Sequence, residues 1–192
     1  MTAKDLFSVV VEAIKTENDE LQNLFKNKNY NKRDGYAPGI TNCFEYDLNY
    51  LIFKGMLKSK FPNKIFREEK HQGKKYDLII CNDQDEFDIG IEMKIWEEES
   101  HKESSLADIN KIPLKTDLKN YLMIFTFDSK APFDIWSNYF KEVADYFTES
   151  QNRFNVEVSE ELIAIFDTYY IDDNYRISKG EYGICMMELV SE

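Results

Sequence analysis

The sequence is poor in cysteine. Three cysteines, Cys43, Cys81 and Cys185, stand far apart among its 192 residues, each in an apolar neighbourhood. An odd number of widely separated cysteines is not the pattern of a disulfide framework or of an iron or zinc site. We therefore expect buried, reduced thiols at all three positions.

Long apolar segments are missing as well. No apolar run approaches the roughly 20 residues that a membrane-spanning helix needs, and the N-terminal MTAKDLF lacks the charged and apolar regions of a signal peptide. Hydrophobic residues nevertheless make up 43% of the chain and aromatic residues 15%, which is typical of a folded globular protein. A chain of 192 residues can bury one sizeable core, so we expect a single cytoplasmic domain without membrane contact.

Positive charge is scarce overall but concentrated in one segment. The 24 basic residues face 36 acidic ones, a net charge of −12, which taken alone argues against broad attraction to nucleic acid. Residues 54–75, however, carry eight basic residues and two acidic ones, whereas residues 83–99 sum to −7 and residues 121–192 to −9. The basic segment is either a solvated surface or a patch that contacts phosphate.

Hydrophobic spacing divides the chain into helices and strands. Apolar residues that recur every three or four positions predict helices over residues 4–26, 42–60, 104–119 and 132–148, the third kinked at Pro113. Apolar runs predict strands over residues 64–70, 75–82, 86–96, 121–127, 161–171 and 182–190.

This order of elements predicts an α/β fold in which helices flank a mixed central sheet. The continuous apolar run 121–127 is typical of a central strand that is covered on both faces. We divide the domain into an N-terminal helix and loop (1–41), a core (42–128), and a C-terminal helix with strands (129–192).

The stretch YDLIICNDQDEFDIGIEMKIWEEE, residues 76–99, predicts a β-hairpin with unusual charges. If residues 76–82 and 86–96 pair around Gln84 and Asp85, the numbers of opposed residues sum to 169. One face is then wholly apolar, with the pairs Tyr76 and Met93, Leu78 and Ile91, and Ile80 and Ile89. The other face carries the pairs Asp77 and Glu92, Ile79 and Gly90, Cys81 and Asp88, and Lys75 and Lys94.

Asp77 and Glu92 would therefore face each other directly. Like charges so placed destabilise a sheet unless a cation lies between them, since opposed Cβ atoms are only about 5 Å apart. Two carboxylates at this spacing suit Mg²⁺, which keeps several waters and takes phosphate oxygens as further ligands. Lys94 would add an ammonium group on the same face, so Asp77, Glu92 and Lys94 are the candidate catalytic residues.

Glu45 is a further candidate acid. It lies on the apolar stripe of the second helix, three residues before Leu48 and seven before Ile52, so that its carboxylate points towards the core. Alternatively, Asn42 caps this helix and Glu45 reaches back to it as the partner in a capping box. The spacing supports both roles.

These residues, in this order, resemble the PD-(D/E)XK nuclease superfamily, which has the restriction-endonuclease-like fold. The matching pieces are Glu45 on a helix, KKYDLII with Asp77, IGIEMKIW with Glu92, Met93 and Lys94, and the following ADINKIPLKTDLKNYLMIF. The resemblance covers residues 42–128, roughly half of the chain. Tyr76 is a departure, because the family often has a proline before the acid.

The resemblance implies metal-dependent hydrolysis of phosphodiester bonds by an endonuclease or exonuclease. Asp77, Glu92, the Met93 carbonyl and Glu45 would hold one or two Mg²⁺ ions, for which Mn²⁺ would substitute. Lys94 would orient the attacking water or assist its deprotonation. A restriction or phage-defence role would suit such an enzyme.

Four residues are candidates for binding the substrate: Lys75, Lys111, Lys115 and Trp96. Lys111 and Lys115 recur with Lys119 every four residues along the predicted third helix, which in the family lies near the nucleic-acid backbone. A solvated helix face explains these lysines equally well. Trp96, on the strand face of Lys94, would either stack on a base or pack in the core.

The expected partner is nucleic acid, DNA in the first place, although the same residues would serve an RNA nuclease. A different hypothesis is a nuclease-fold protein that binds another protein through its acidic C-terminal third. The net charge of −12 favours this binding module, whereas the opposed carboxylates favour the enzyme. A homodimer would supply the two active sites that cutting both strands of a duplex needs.

Overall fold

A computed structural model of the chain describes residues 2–26, 39–96, 102–113, 116–128, 133–171 and 177–191. The helices in this part of the chain are α1 (Ala3–Lys26), α2 (Glu45–Lys58), α3 (Lys102–Ile109) and α4 (Phe133–Ser150). The strands are β1 (Ile65–Arg67), β2 (Lys70–His71), β3 (Lys74–Lys75), β4 (Leu78–Cys81), β5 (Phe87–Ile95), β6 (Lys119–Asp128), β7 (Phe154–Ile171) and β8 (Ile177–Ser191).

Six of these strands form one mixed sheet in the order β1-β4-β5-β6-β8-β7. Strands β5 and β6 run parallel, and all other neighbours in the sheet run antiparallel. The short strands β2 and β3 pair only with each other, in the connection between β1 and β4. The predicted class, α/β with a mixed central sheet flanked by helices, is confirmed.

Helices cover both faces of the sheet and bury an apolar cluster on each. The cluster under α1 and α2 contains Leu6, Val10, Ile14, Leu48, Ile52, Leu78, Ile91 and Met123. The cluster under α3 and α4 contains Ile109, Trp136, Phe140, Phe147, Leu122, Ile124 and Cys185. Residues 121–126 of β6 lie between the two clusters and are all buried, which confirms the predicted central strand.

The remaining long elements agree with the sequence pattern. Helices α1 and α4 lie where amphipathic spacing predicts them, and the C-terminal segments form the antiparallel pair β7 and β8. All three cysteines are free; Cys81 and Cys185 are buried, and burial raises the pKa of the half-buried Cys43 to about 11. Within the described ranges, no helix is both long enough and apolar enough to cross a membrane.

Two predicted elements are wrong in extent. The strand expected over 64–70 ends at Arg67, because Glu68 adopts a φ of 54° that an extended strand does not allow. The chain then folds into the hairpin of β2 and β3, whose loop residues Gln72 and Gly73 have φ values of 48° and 85°, as a tight two-residue hairpin turn requires.

The helix expected over 104–119 covers Lys102–Ile109 only. Single turns follow, in which the amides of Lys111 and Ile112 donate to the carbonyls of Asp108 and Ile109. Pro113 comes next, and a proline disfavours helical geometry in the residue before it. Because Lys119 is the first residue of β6, Lys111 and Lys119 do not share a helix face.

Helices α1 and α2 approach each other most closely at Ala13 and Gly55. A Cβ atom at Gly55 would lie 2.3 Å from the Cβ of Ala13, which is far inside van der Waals contact. The glycine therefore lets α2 lie close against α1, and this placement brings the N-terminal end of α2 to the sheet.

We expect the substitution Gly55→Ala to destabilise the protein by about 1–3 kcal/mol, the usual cost of overpacking. A solvated helix would instead gain about 1 kcal/mol from the same change. The double variant Ala13→Gly/Gly55→Ala moves the methyl group to the other helix and should recover stability close to that of the wild type. Urea unfolding followed by circular dichroism measures both; a Gly55→Ala protein more stable than wild type would contradict this packing.

Candidate active site

Charged side chains from five parts of the chain line one cavity of about 370 Å³. Helix α2 contributes Glu45, the residue before β4 is Asp77, β5 contributes Glu92 and Lys94, and α3 contributes Asp108. The β2–β3 hairpin completes the lining with Gly73, Lys74 and Lys75, and Lys111 lies at the end of α3. The structure therefore brings together Glu45, Asp77, Glu92 and Lys94, which are distant in sequence.

Asp77 is held by its backbone and by one carboxylate oxygen. Its amide donates to the Ile91 carbonyl at 3.1 Å, and its carbonyl accepts from the Glu68 amide at 2.9 Å and from the Asn49 side chain at 3.3 Å. Its Oδ2 accepts a hydrogen bond from the Met93 amide at 2.7 Å. The Met93 amide of β5 thus donates to a side-chain carboxylate, where a regular ladder would offer it a backbone carbonyl of the neighbouring strand.

The predicted hairpin register is confirmed in its centre and wrong at both ends. Leu78 opposes Ile91, Ile79 opposes Gly90 and Ile80 opposes Ile89, as expected. A bulge then opposes Cys81 to Phe87 instead of Asp88, and the ladder begins only at Leu78. Asp77 and Glu92 are therefore not a ladder pair, Lys75 pairs with Lys70 instead of Lys94, and Tyr76 packs with Ile79 and Leu118 instead of opposing Met93.

Glu92 is buried between two lysines. Its Oε2 accepts from Lys74 Nζ at 2.8 Å, and its Oε1 lies 3.5 Å from Lys94 Nζ. The exposed fractions of the three side chains are 2% for Lys74, 7% for Glu92 and 9% for Lys94. Water can therefore do little to stabilise these charges, and each depends on its partners.

Lys94 contacts three carboxylates. Besides Glu92, its Nζ lies 3.1 Å from Glu45 Oε1 and 3.1 Å from Asp108 Oδ2. Burial lowers the pKa of Lys94, but the charges of Glu45 and Glu92 and the bond to Asp108 outweigh it, so that the pKa is raised above its ordinary value. The surrounding carboxylates therefore favour the charged form of Lys94, in which it donates hydrogen bonds.

The pKa values of the carboxylates Asp77 and Glu92 are raised in this crowded site. Burial raises the pKa of Asp77, and a smaller contribution in the same direction comes from Glu45. Burial and the charge of Asp77 raise the pKa of Glu92. Four carboxylates, those of Glu45, Asp77, Glu92 and Asp108, thus share the cavity with four lysines, of which Lys74 and Lys94 are buried.

Mg²⁺ is usually bound through one or two carboxylates and several waters, so Asp77 and Glu92 are the residues that could hold it. The Met93 amide bonds to Asp77, and since the amide and carbonyl of a strand residue point to the same side, the Met93 carbonyl also points towards this edge. In the part of the chain that the structure describes, no three histidine, cysteine or acidic side chains are placed to enclose a metal ion.

Glu45 does not act in a capping box. The N-cap of α2 is Phe44, whose amide donates to Asp47 Oδ2 at 3.0 Å, whereas Asn42 belongs to the separate 3₁₀ turn Ile40–Asn42. The capping interpretation of Glu45 is wrong, because the helix begins three residues later than predicted. Its carboxylate is thereby available to Lys94.

The predicted substrate-binding residues differ in whether they are exposed at the cavity. Lys75 is 53% exposed at the cavity and bonds to Glu68, and Lys111 is 64% exposed and bonds to Asp108. Trp96 is buried against Tyr146 and Phe147, so that it packs in the core and offers no face to a base. Lys115 lies outside the described residues.

Sequence reasoning missed Lys74 and Asp108. Lys74 reaches Glu92 because the chain turns at Gln72 and Gly73, and Gly73 was the one signal for that turn. Asp108 is the seventh residue of the eight-residue helix α3, and no sequence motif marks it as a site residue. Both add charge to the four residues that the pattern predicted for this site, Glu45, Asp77, Glu92 and Lys94.

Comparison with known proteins assigns no family to the chain. No protein-family model, curated protein or solved structure gives a significant match. A function is therefore inferred from the residues of the cavity and from the fold that places them.

We expect Lys74→Met to destabilise the protein by about 3 kcal/mol or more, because it leaves the buried Glu92 carboxylate short of a partner. The double variant Lys74→Met/Glu92→Gln removes both charges and should regain most of this stability. The matched control is Lys64→Met, since Lys64 pairs with Asp85 at the surface and its loss should cost at most about 1 kcal/mol. Urea unfolding of the three proteins tests the pair; equal losses for Lys74→Met and Lys64→Met would contradict it.

Proposed function

We propose that the cavity is the active site of a metal-dependent nuclease that hydrolyses phosphodiester bonds. The observation that carries this proposal is the convergence of Asp77, Glu92, Lys94 and Glu45 in one cavity, where Glu92 and Lys94 are both buried. A protein that only bound a partner would have no use for so costly a cluster.

The arrangement of elements supports the proposal. Helix α2, strand β1, the hairpin of β4 and β5, helix α3 and strand β6 follow one another in the order that a PD-(D/E)XK core requires. Glu45 lies on the first of these elements, Asp77 at the start of the hairpin, and Glu92 with Lys94 on its second strand. The restriction-endonuclease-like fold is part of the proposal.

Each residue then has a task that its contacts suit. Asp77, Glu92 and the Met93 carbonyl would hold Mg²⁺, which supplies a Lewis acid for the phosphate and an acidified water. Lys94, kept as a cation by its three carboxylates, stabilises the negative charge that grows on the phosphate oxygens. Glu45 and Asp108 fix the Lys94 ammonium, and Lys74 holds Glu92 in position.

The reaction adds water across one ester bond. The water oxygen bonds to phosphorus, one P–O ester bond breaks, and the departing oxygen takes up a proton. DNA is our first choice of substrate, and RNA is the alternative that the same cavity would accept.

We expect the wild type to cleave DNA or RNA with Mg²⁺ or Mn²⁺ and not with EDTA. Asp77→Ala and Glu92→Ala should each slow cleavage by about a thousand-fold or more, since several kcal/mol of transition-state stabilisation depend on them. Lys94→Met should slow it comparably without changing the metal dependence. Labelled single- and double-stranded DNA and RNA, resolved on denaturing gels, provide the measurement.

The control is Asp85→Ala, which removes an exposed carboxylate on the turn between β4 and β5 and should leave the rate unchanged. Circular dichroism melts establish that each variant is folded. Cleavage that continues in EDTA, or that the Asp77 and Glu92 variants retain in full, would refute the proposal, as would a wild type that cuts none of the four substrates.

A further inference from the structure

Helix α2 presents aromatic rings to solvent beside the cavity. Phe44 is 76% exposed, Tyr46 63% and Tyr50 48%, although large hydrophobic side chains are normally covered. Tyr46 and Tyr50 are four residues apart, so they lie on the same side of the helix. Glu45, between Phe44 and Tyr46 in the chain, lines the cavity, so two of these rings belong to residues adjacent in sequence to a cavity residue.

Arg67 of β1 joins the two tyrosines into one surface. Its guanidinium carbon lies 4.3 Å from the centre of the Tyr46 ring and 5.8 Å from that of Tyr50. A guanidinium in this position is attracted to the ring face and restrains the ring. We call Tyr46, Tyr50 and Arg67 the tyrosine–arginine platform.

The platform carries one positive charge, that of Arg67, which Glu68 and Glu69 follow in the chain. Arg67 makes no ion pair with any carboxylate of the described residues; its Nε donates to Asn49 Oδ1 at 3.0 Å. Lys70, three residues on, is exposed and also takes part in no ion pair within the described ranges. Both residues belong to the one basic segment of an otherwise acidic chain, so the surface suits an anionic partner.

A hydrogen-bonded path connects the platform to the candidate active site. Arg67 bonds to Asn49, and the Asn49 amide nitrogen donates to the Asp77 carbonyl at 3.3 Å. The Asn49 side chain therefore bonds both to Arg67, which lies against the rings, and to the backbone of Asp77 at the cavity. A chain molecule whose phosphate entered the cavity would pass over the platform.

We propose that the tyrosine–arginine platform stacks the bases of single-stranded nucleic acid and thereby selects unpaired strands as the substrate. Exposed rings next to a cationic side chain are the usual means of binding unpaired bases, whatever their sequence. A duplex hides the faces of its bases within its own stack, so it gains nothing from such a surface. This inference rests on the proposed nuclease function, which supplies the reason for a strand to enter the cavity.

The test measures binding without cleavage. Fluorescence anisotropy in EDTA and low salt follows a labelled 12-residue oligothymidylate, an oligouridylate of the same length and a DNA duplex. The variants are Tyr46→Ala/Tyr50→Ala, Tyr46→Phe/Tyr50→Phe and, as a matched control, Leu57→Ala, which removes another exposed apolar side chain from α2. The two oligonucleotides distinguish DNA from RNA as the source of the bases.

Loss of both rings should weaken binding of single strands by at least about ten-fold, since each base–ring stack contributes about five-fold or more. The phenylalanine variant keeps the ring faces and should bind within about two-fold of wild type, as should Leu57→Ala. The duplex should bind more weakly and respond to none of the variants. Single-strand binding that survives loss of both rings, or that is absent in wild type because the surface docks a protein, would overturn the platform.

The outcomes for the platform and for the nuclease are distinguishable. If Asp77-dependent cleavage is found while the alanine variant binds single strands as wild type does, the platform is wrong and the nuclease stands. If ring-dependent binding is found while no nucleic acid is cut, base stacking stands and the nuclease is wrong.

Discussion

Two carboxylates, those of Asp77 and Glu92, are buried at one edge of the sheet, close enough for the charge of Asp77 to raise the pKa of Glu92. A pair of this kind is costly, and the surrounding structure is arranged to balance it. Lys74 and Lys94 supply two ammonium groups, and Glu45 and Asp108 in turn keep Lys94 charged. The cavity as a whole is lined by four acids and four lysines, so its charges are matched in number although they are unevenly buried.

The charged side chains are brought together at places where regular strands and helices begin or are interrupted. Strand β4 begins one residue after Asp77, which leaves the Met93 amide to the carboxylate instead of a ladder carbonyl. The β2–β3 hairpin directs Lys74 to Glu92, and α2 begins at Glu45, which places that residue at the cavity. An uninterrupted sheet would satisfy its backbone better but would not gather these side chains.

The sequence was sufficient for the class of fold and for the centre of the hairpin. Period-two alternation placed Leu78 opposite Ile91 correctly, because burial of one face fixes the register. It failed where the backbone leaves that pattern: at Glu68 and Gln72, which adopt positive φ without being glycine, and at the bulge after Ile80. Lys74 was missed because it lay between the predicted strands 64–70 and 75–82, where no hairpin was expected.

The prediction that Lys111, Lys115 and Lys119 share one helix face shows a second reason why the sequence pattern failed. A spacing of four residues predicts a shared face only if the helix continues, and α3 ends at Ile109. The spacing of Trp96 from Lys94 was likewise correct for a strand, but it could not show that α4 covers that face with Tyr146 and Phe147. The local sequence pattern predicts on which side of a helix or strand a side chain lies. Whether that side is buried depends on which other elements pack against it.

A basic segment within a chain of net charge −12 also finds an explanation in the structure. Part of its charge neutralises nearby acids, as Lys64 does with Asp85, Lys74 with Glu92 and Lys75 with Glu68. Arg67 and Lys70 are left without an acidic partner in the described ranges. Lys54, Lys58 and Lys60, at the C-terminal end of α2 and just beyond it, likewise make no ion pair in those ranges, so the unpaired positive charge of the segment is not limited to the margin of the cavity.

If the carboxylates of Asp77 and Glu92 bind a divalent cation together, anomalous diffraction from crystals soaked in MnCl₂ will show it. A site of this kind predicts an anomalous peak within about 2 Å of carboxylate oxygens of both Asp77 and Glu92, at the distance expected for a small divalent cation. The same soak of Asp77→Asn crystals should show a weaker peak or none. A wild-type map without a peak in the cavity, in which Lys74 and Lys94 remain the only cations on Glu92, would contradict the account.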